Sequence, residues 1–170
     1  MRVRGRSFFL VRDPSSVPLS RRRLRDLITQ WDLHLDEDSE TALITTTSEL
    51  VTNGVVHGTG TVLTVGVHAD LGRRRVLIEV YDDSLALPHR RAAGLYAESG
   101  RGLLLIDQLA IRHGAERAGL GKRVWAEIAI PRQPRTRHRL GFRPCQAARS
   151  VARRLSAPLR PPTYPPGKAA

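Results

Sequence analysis

Cysteine is nearly absent from this chain. Cys145 is the one cysteine among 170 residues, so no internal disulfide can form. The six histidines provide neither a Cys/His zinc spacing nor the second histidine of a His-Glu-x-x-His motif. The low cysteine count fits a reducing environment, and we expect a cytoplasmic protein.

Long apolar runs are also missing. The brief apolar run near the N-terminus, at residues 7–11, is too short for the core of a signal peptide or for a membrane span. We therefore expect no membrane-spanning segment.

Acidic residues are missing beyond residue 131. Residues 132–170 contain ten basic residues, no Asp or Glu, and seven of the eleven prolines, which leaves 18 basic (28 minus 10) and 16 acidic residues in 1–131. Many prolines and charge of one sign are typical of disorder. We predict one folded domain at 1–131 and a disordered, basic Pro/Arg-rich tail at 132–170. The tail is either a solvated extension or a segment that contacts anionic surfaces such as nucleic acid, a membrane or an acidic protein patch.

The most informative stretch lies within residues 45–58. Glu49 and Asn53 are four residues apart, and His57 follows after four more. On a helix these side chains share one side, and the residues between them supply an apolar face. A carboxylate can orient or deprotonate an attacking group, and a carboxamide oxygen is a suitable ligand for Mg²⁺. The pattern favours a site for a metal-bound nucleotide; a solvated glutamate on an amphipathic helix is the plain alternative.

Two further segments follow in order. Residues 76–88 are predicted to form a strand that ends in Asp82 and Asp83 and continues into a loop of small residues. The second segment, Gly100-Arg101-Gly102, runs straight into an apolar helix. Glycines at such a turn let backbone N–H groups approach a phosphate, and the helix N-terminus favours its negative charge. The turn lacks the Gly-Lys-Ser/Thr ending of a P-loop and the third glycine of a dinucleotide fingerprint.

The order of these segments resembles the GHKL ATPases, a superfamily of gyrase-type, chaperone and mismatch-repair ATPases and histidine kinases. The resemblance is strongest to the small anti-sigma-factor serine/threonine kinases common in Gram-positive bacteria. Residues 48–58 resemble the N box of that branch, residues 80–88 its first glycine box and residues 100–103 its second. Gly121-Lys122 before Val124-Trp125 resembles the segment that leads into its last strand.

The resemblance implies a role for each matching residue. Glu49 would be the general base toward the group that attacks the γ-phosphate of ATP, and Asn53 would hold Mg²⁺. Asp82 would accept a hydrogen bond from the amino group of adenine. Further positions would line the nucleotide and its phosphates: His57, Gly100, Gly102 and Leu103.

Four departures from the family pattern concern the same site. Ser84 and Ala86 stand where the first glycine box has glycines, so a position that needs positive φ would be strained. Arg123 stands where the family often has Thr near the adenine. Glu98 replaces an Arg that commonly contacts the γ-phosphate, and its charge would repel a triphosphate. Arg101 could take over that contact as a bidentate clamp.

The pattern of the whole domain predicts the α+β class, a two-layer α/β sandwich in which helices pack on one face of a mixed sheet. The resemblance implies the histidine-kinase-like ATPase fold. We expect Ser20 to cap the first helix, and Trp31 and Trp125 to lie in the core. The expected elements are strands at 5–11, 62–68, 75–81, 110–116 and 124–130, helices at 20–32, from Asp36 or Asp38 to His57, and at 102–109, and a mobile lid at 85–99.

Three functions agree with different parts of the sequence. The motifs favour a protein serine/threonine kinase that uses ATP and Mg²⁺. The resemblance implies that it phosphorylates an anti-anti-sigma partner and/or sequesters a sigma factor, and members of that family often form homodimers. The alternative is a non-catalytic, nucleotide-gated protein-binding module, in which Glu98 and Arg123 prevent phosphoryl transfer. A nucleic-acid-binding protein is the least favoured, because Phe142 and Tyr164 are the only aromatic residues of the basic tail.

Overall fold

The computed structural model describes residues 3–87 and 101–133. These residues form β1 (Val3–Val11), α1 (Ser16–Gln30), α2 (Glu37–His57), β2 (Val62–Asp70), β3 (Arg75–Asp82), α3 (Arg101–Leu109), β4 (Arg112–Ala118) and β5 (Gly121–Ala129). Every predicted strand and helix is present, with ends that differ by up to four residues. The chain divides into the units Met1–Pro134 and Arg135–Ala170. Most of the predicted tail and of the predicted lid lies outside the described residues. Residues 132 and 133 of the predicted tail are described, and the Gln133 side chain bonds to the backbone N–H and carbonyl of His34.

The five strands form one sheet in the order β1-β2-β3-β5-β4. Every neighbouring pair is antiparallel. The predicted two-layer α+β class is therefore confirmed, but the prediction of a mixed sheet is wrong. After the crossover through α3, β4 runs in the same direction as β3. The β4–β5 hairpin then places β5 between them, so the described strands form no parallel pair.

Helix α2 forms the centre of the core. Its residues Leu43, Leu50 and Val51 pack against the sheet, and each is at most 1% exposed. A β-carbon at Gly54 would lie 3.1 Å from Leu63 Cδ1, so this glycine lets the helix approach the strands closely. α1 and α3 pack beside α2, against β1 and β4. The described helices thus cover one face, over apolar rows of alternating strand residues: Leu63, Val65, Val67, Val76, Ile78, Val80, Ala126 and Ile128.

None of the described helices has the length and apolar character that crossing a bilayer would require.

The first two helices begin differently: a side-chain hydrogen bond caps the start of α2, and none from a described residue caps the start of α1. α2 starts after Asp36, whose side chain accepts a hydrogen bond from the Ser39 N–H at 2.9 Å, as the sequence predicts. Hydrogen bonding with the Ser39 side chain and with the Ser39 N–H lowers the pKa of the Asp36 carboxyl. α1 starts at Ser16 and not at the predicted Ser20, which lies inside the helix with its hydroxyl donating to a first-turn carbonyl. Pro18 is accommodated because first-turn N–H groups have no partner within a helix.

The opposite face of the sheet carries no helix among the described residues. Trp125, predicted for the core, lies half-buried on this face. The guanidinium groups of Arg123 and Arg112 lie 5.6 and 6.0 Å from its ring centre. The position follows from strand alternation, because the residues on either side of Trp125 point to the helices. Trp31, by contrast, lies in the core as predicted.

A network of charged side chains crosses the centre of this outer face. Glu79 is 8% exposed, and its carboxylate accepts hydrogen bonds from His68 Nε2 at 2.9 Å and Arg123 Nε at 2.7 Å. Arg123 also donates to Glu116 at 2.6 Å. Burial acts to raise the pKa of Glu79, but the hydrogen bonds from His68 and Arg123 outweigh it and the pKa is lowered.

We expect this network to make stability depend on pH in the acid range. Because the pKa of Glu79 is lowered in the folded state, its stabilising contribution is present above its unfolded-state pKa and is lost as the pH falls through its folded-state pKa. Glu79→Gln should therefore flatten the decline of the unfolding free energy below about pH 5. Urea denaturation at a series of pH values measures the slope.

The matched control for this experiment is Glu40→Gln, which neutralises an exposed carboxylate on α2. If the unfolding free energy of Glu79→Gln falls as steeply with decreasing pH as that of the wild-type chain, the network does not cause the pH dependence.

Candidate functional site

One flank of α2 carries the three polar residues that the sequence singles out. Glu49 and Asn53 are half-buried, and His57 is exposed. Their spacing of four residues places them along one side of the helix, beside the buried stripe. Within residues 3–87 and 101–133, none of these side chains has a hydrogen-bond or ion-pair partner. All three are therefore available to a ligand.

The N-terminal turn of α3 lies against the Glu49 end of this flank. A β-carbon at Gly102 would meet the end of the Glu49 side chain, so the start of α3 lies directly against the Glu49 carboxylate. The first-turn N–H groups of α3 have no partner within the helix and form the positive end of its dipole. A phosphate held by them would lie beside Glu49, whose negative charge requires a cation between the two.

Asp82 lies at the other end of α2. A β-carbon at Gly58, directly after α2, would be 3.1 Å from the Asp82 Cβ and Cγ. The Asp82 side chain is buried, and its Oδ1 accepts a hydrogen bond from the Ser84 N–H at 2.7 Å. The Lys122 Nζ lies 3.3 Å from the same oxygen. Because a carboxylate is unfavourable beside the negative end of a helix dipole, the buried ammonium offsets its charge.

Lys122, and not Arg123, is the β5 residue at this end of the site. Asp82 and Lys122 are register partners across the β3–β5 ladder, so their side chains share the face that the helices cover. Arg123 points to the outer face, where it bonds to Glu79 and Glu116. Arg123 therefore lies on the face of the sheet opposite Asp82, and Lys122 is the residue beside Asp82 that sequence reasoning missed. Val124, Ala126 and Ile128 are core residues of β5. Strand alternation places Lys122 on the same face, so the sequence pattern could have identified Lys122.

The loop after Asp82 is free of the backbone strain expected at Ser84 and Ala86. Among the described residues, the non-glycine residues with positive φ are Asp32 and Arg74. Ser84 instead closes a turn, because its N–H donates to Asp82 and its hydroxyl accepts from the Ala86 N–H at 3.2 Å. The replacement of two glycines therefore leaves the path of this loop unstrained.

α2 sets the distance between the two ends of the candidate site. His57 follows Glu49 by eight residues, which corresponds to about 12 Å along the helix axis, with Asn53 halfway. This length suits an extended ligand. Its anionic group would lie at the Gly102 end, and a group that donates hydrogen bonds would lie at the Asp82 end.

Arg21 brings a positive charge from α1 to the Glu49 end. Its Nη1 donates to the Ser48 hydroxyl at 3.4 Å, and Ser48 directly precedes Glu49. Sequence reasoning did not single out Arg21, because the packing of α1 on α2 cannot be read from the pattern of either helix alone.

Some predicted site residues lie outside the part of the chain that the structure describes. Gly100 and Glu98 are outside it, and so is the side chain of Arg101. Leu103 is inside it, half-buried and packed against the core, so its side chain anchors the start of α3. The roles assigned to these residues stay predictions.

Asn53 is the metal ligand that the sequence predicts. Among the described residues, no group of three or more His, Cys, Asp or Glu side chains is arranged to hold a metal ion. The residues present fit Mg²⁺ in the form in which it usually binds, through one or two protein oxygens, several waters and the phosphates of a substrate. Glu49 and Asn53 offer such oxygens on adjacent turns of α2.

The fold has a counterpart among solved structures. The crystal structure of the RsbU and RsbW domains of Rv1364c from Mycobacterium tuberculosis matches with a TM-score of 0.54 and 17% sequence identity, covering 75% of this chain. This chain spans 32% of the chain in that structure. The match shows the fold, a two-layer α/β sandwich. No protein-family model and no curated protein matches the chain.

Removing the Lys122 ammonium should destabilise the domain. Lys122→Met leaves the buried Asp82 carboxylate unpaired beside the C-terminus of α2, which should lower the unfolding free energy by about 3–5 kcal/mol. The double variant Asp82→Asn/Lys122→Met contains no unpaired charge and should recover part of this loss. Urea denaturation monitored by circular dichroism measures both effects.

Arg117→Met serves as the control, since it removes an exposed charge from β4 opposite Lys122. A loss of stability for Lys122→Met no larger than for Arg117→Met would contradict a buried ion pair.

Proposed function

We propose that the domain binds ATP with Mg²⁺ along α2 and acts as an anti-sigma-factor-type regulator. One observation supports this proposal most: the start of α3 lies against Glu49, and Asp82 lies at the far end of the same helix. Glu49, Asn53 and Asp82 are therefore arranged in the order in which the γ-phosphate, the metal and the base would follow one another along a bound nucleotide.

The phosphate end of the proposed site combines a helix N-terminus with a metal ligand. The N–H groups of Gly102 and Leu103 would bind phosphate oxygens, and Gly100 would lie in the turn before them. Asn53 would hold Mg²⁺ through its carboxamide oxygen. When bound, Mg²⁺ supplies the positive charge that phosphates beside Glu49 require. His57 would lie near the nucleotide.

Phosphoryl transfer to a partner protein is the proposed reaction. Glu49 would accept the proton of a serine or threonine hydroxyl while the hydroxyl oxygen bonds to the γ-phosphorus. The bond from that phosphorus to the bridging oxygen would break, and ADP would leave. Arg101 would offset the charge on the transferred group.

The proposed partners are a sigma factor that the domain sequesters and an anti-anti-sigma protein that carries the phosphorylated hydroxyl. A homodimer and a cytoplasmic location belong to the same proposal, and the basic tail would add contacts to anionic surfaces. These assignments rest on the GHKL-kinase resemblance of the motifs.

A non-catalytic, nucleotide-gated protein-binding module is the second candidate. One departure in the sequence favours it, since Glu98 stands where the family commonly has an Arg that contacts the γ-phosphate, and its negative charge would oppose transfer. In such a module, nucleotide binding would order a protein-binding surface without transfer of the γ-phosphate.

Mg·ATP should stabilise the full chain against heat. A ligand at 100 times its dissociation constant adds about 2.7 kcal/mol to the unfolding free energy, so the melting temperature should rise. Asn53→Ala should remove most of this rise, because it deletes the neutral oxygen ligand of the metal. Thermal denaturation with ATP and Mg²⁺, with ATP and a chelator, and without nucleotide measures the effect.

Thr52→Ala is the matched control for Asn53→Ala, because it shortens the neighbouring polar side chain of α2. If the wild-type chain shows no shift in melting temperature at millimolar Mg·ATP, both candidate functions fail together.

Glu49→Gln should separate the two candidate functions. The variant should keep its affinity for Mg·ATP and lower the transfer of phosphate to a cognate anti-anti-sigma protein by about 10² to 10⁴-fold, which is the usual contribution of a general base. Calorimetry measures the affinity. Incubation of radiolabelled ATP with candidate partner proteins encoded in the same genome measures the transfer.

Glu40→Gln, on the same helix, is the control for the transfer assay. Labelling that persists in Glu49→Gln at the wild-type rate would remove Glu49 as the base. A wild-type chain that binds ATP and labels no partner would favour the protein-binding module.

A further inference from the structure

Lys122 gives the base end of the proposed site a hydrogen-bond donor beside the Asp82 acceptor. The Lys122 Nζ lies 3.3 Å from Asp82 Oδ1, and both side chains are at most 5% exposed. An ammonium carries three N–H donors. Within residues 3–87 and 101–133, Asp82 is its only ionic partner. N–H groups therefore remain for a ligand atom that reaches the carboxylate.

The Asp82 carboxylate is held in place beside the ammonium. The Ser84 N–H bonds to its Oδ1 at 2.7 Å, and Gly58 packs directly on its Cβ and Cγ. Because Lys122 and Asp82 are also register partners in the sheet, donor and acceptor form one built unit at the end of β3 and β5.

Purine nucleotides differ at position 6 of the base. Adenine carries an amine there, which donates a hydrogen bond to a carboxylate. Guanine carries a carbonyl at the same position, which accepts a hydrogen bond from an ammonium. A carboxylate alone satisfies the amine and leaves the carbonyl facing a negative charge, whereas an adjacent carboxylate and ammonium satisfy either group.

We propose that Lys122 is a specificity-determining residue that lets this site take guanine nucleotides as well as adenine nucleotides. The proposal rests on the nucleotide-binding function proposed above. It extends the expectation that Asp82 accepts a hydrogen bond from the amino group of adenine.

Lys122 has a purely structural role if it only neutralises Asp82 at the end of α2. In that case the base meets the carboxylate alone, and a carbonyl at position 6 is rejected. The ratio of the affinities for adenine and guanine nucleotides therefore distinguishes base recognition from a structural role.

Isothermal titration calorimetry of the full chain with Mg·ATP, Mg·GTP and Mg·ITP tests the proposal. ITP carries the position-6 carbonyl and the N1–H of guanine without its 2-amino group, so it removes the contribution of that amine. We expect the three dissociation constants to lie within about tenfold of one another, since each base finds a buried partner. Binding of ATP more than about 100-fold tighter than binding of both GTP and ITP would overturn the proposal.

Two variants and their melting temperatures separate base recognition from a folding defect. Lys122→Thr removes the buried cation beside Asp82, so its melting temperature should fall, and its hydroxyl is too short to reach the base. It should weaken GTP and ITP binding by about 5- to 150-fold and ATP binding by less than about threefold. Lys122→Arg keeps a cationic donor and should bind all three nucleotides. Arg22→Thr, which removes an exposed charge from α1, is the matched control.

The outcomes separate this proposal from the function on which it rests. If the wild-type chain binds ATP and Lys122→Thr changes all three affinities equally, nucleotide binding stands and the specificity role of Lys122 is overturned. If none of the three nucleotides binds to the wild-type chain, the nucleotide-binding function itself fails and the role of Lys122 fails with it. Circular dichroism and the melting temperature of each variant confirm that the folded chain is being compared.

Discussion

The packing of α2 on the sheet is the constraint on which the rest of the structure depends. Leu43, Leu50 and Val51 are buried against the strands, and burial of side chains of this size contributes about 1.5–3 kcal/mol each. Gly54 costs about 1 kcal/mol as a glycine inside a helix, and it allows the close approach that buries its neighbours. Once this face is buried, the direction of the adjacent polar flank is determined. That flank carries Glu49 toward the start of α3.

The same helix places a carboxylate at each end of the candidate site, and the two are neutralised differently. At one end Asp82 lies beside the C-terminus of α2, and the protein itself supplies the compensating cation in Lys122. At the other end Glu49 lies beside Gly102 and the positive end of the α3 dipole. A phosphate bound there would need a cation of its own, which agrees with a ligand that arrives with Mg²⁺. The difference between the ends gives the proposed nucleotide a direction along α2.

The sheet separates two sets of charged side chains: the Lys122–Asp82 ion pair on the face that the helices cover and the Arg123–Glu79 network on the outer face. Lys122 and Arg123 are adjacent in sequence, yet alternation directs one toward the helices and the other toward the outer face. The network on the outer face joins Arg123 to Glu79, and no described helix covers its side chains. A charge change at 123 therefore acts on the outer network, whereas a change at 122 acts on the candidate site. The side chains of Lys122 and Arg123 therefore lie on opposite faces of the sheet, although the two residues are adjacent in sequence.

The sequence by itself determined the strands and helices and the order of the motifs, because periodicity and caps such as Asp36 depend on contacts within one element. It also placed Glu49 and Asn53 on one side of a helix by spacing alone. Only the tertiary structure decided the antiparallel sheet, since insertion of β5 between β3 and β4 depends on partners distant in sequence. The same non-local pairing decided that Lys122 faces Asp82 and that Trp125 lies outside the core. Alternation within β5 assigns Lys122 and Arg123 to opposite faces, but the residue that Lys122 meets there depends on the order of the strands in the sheet.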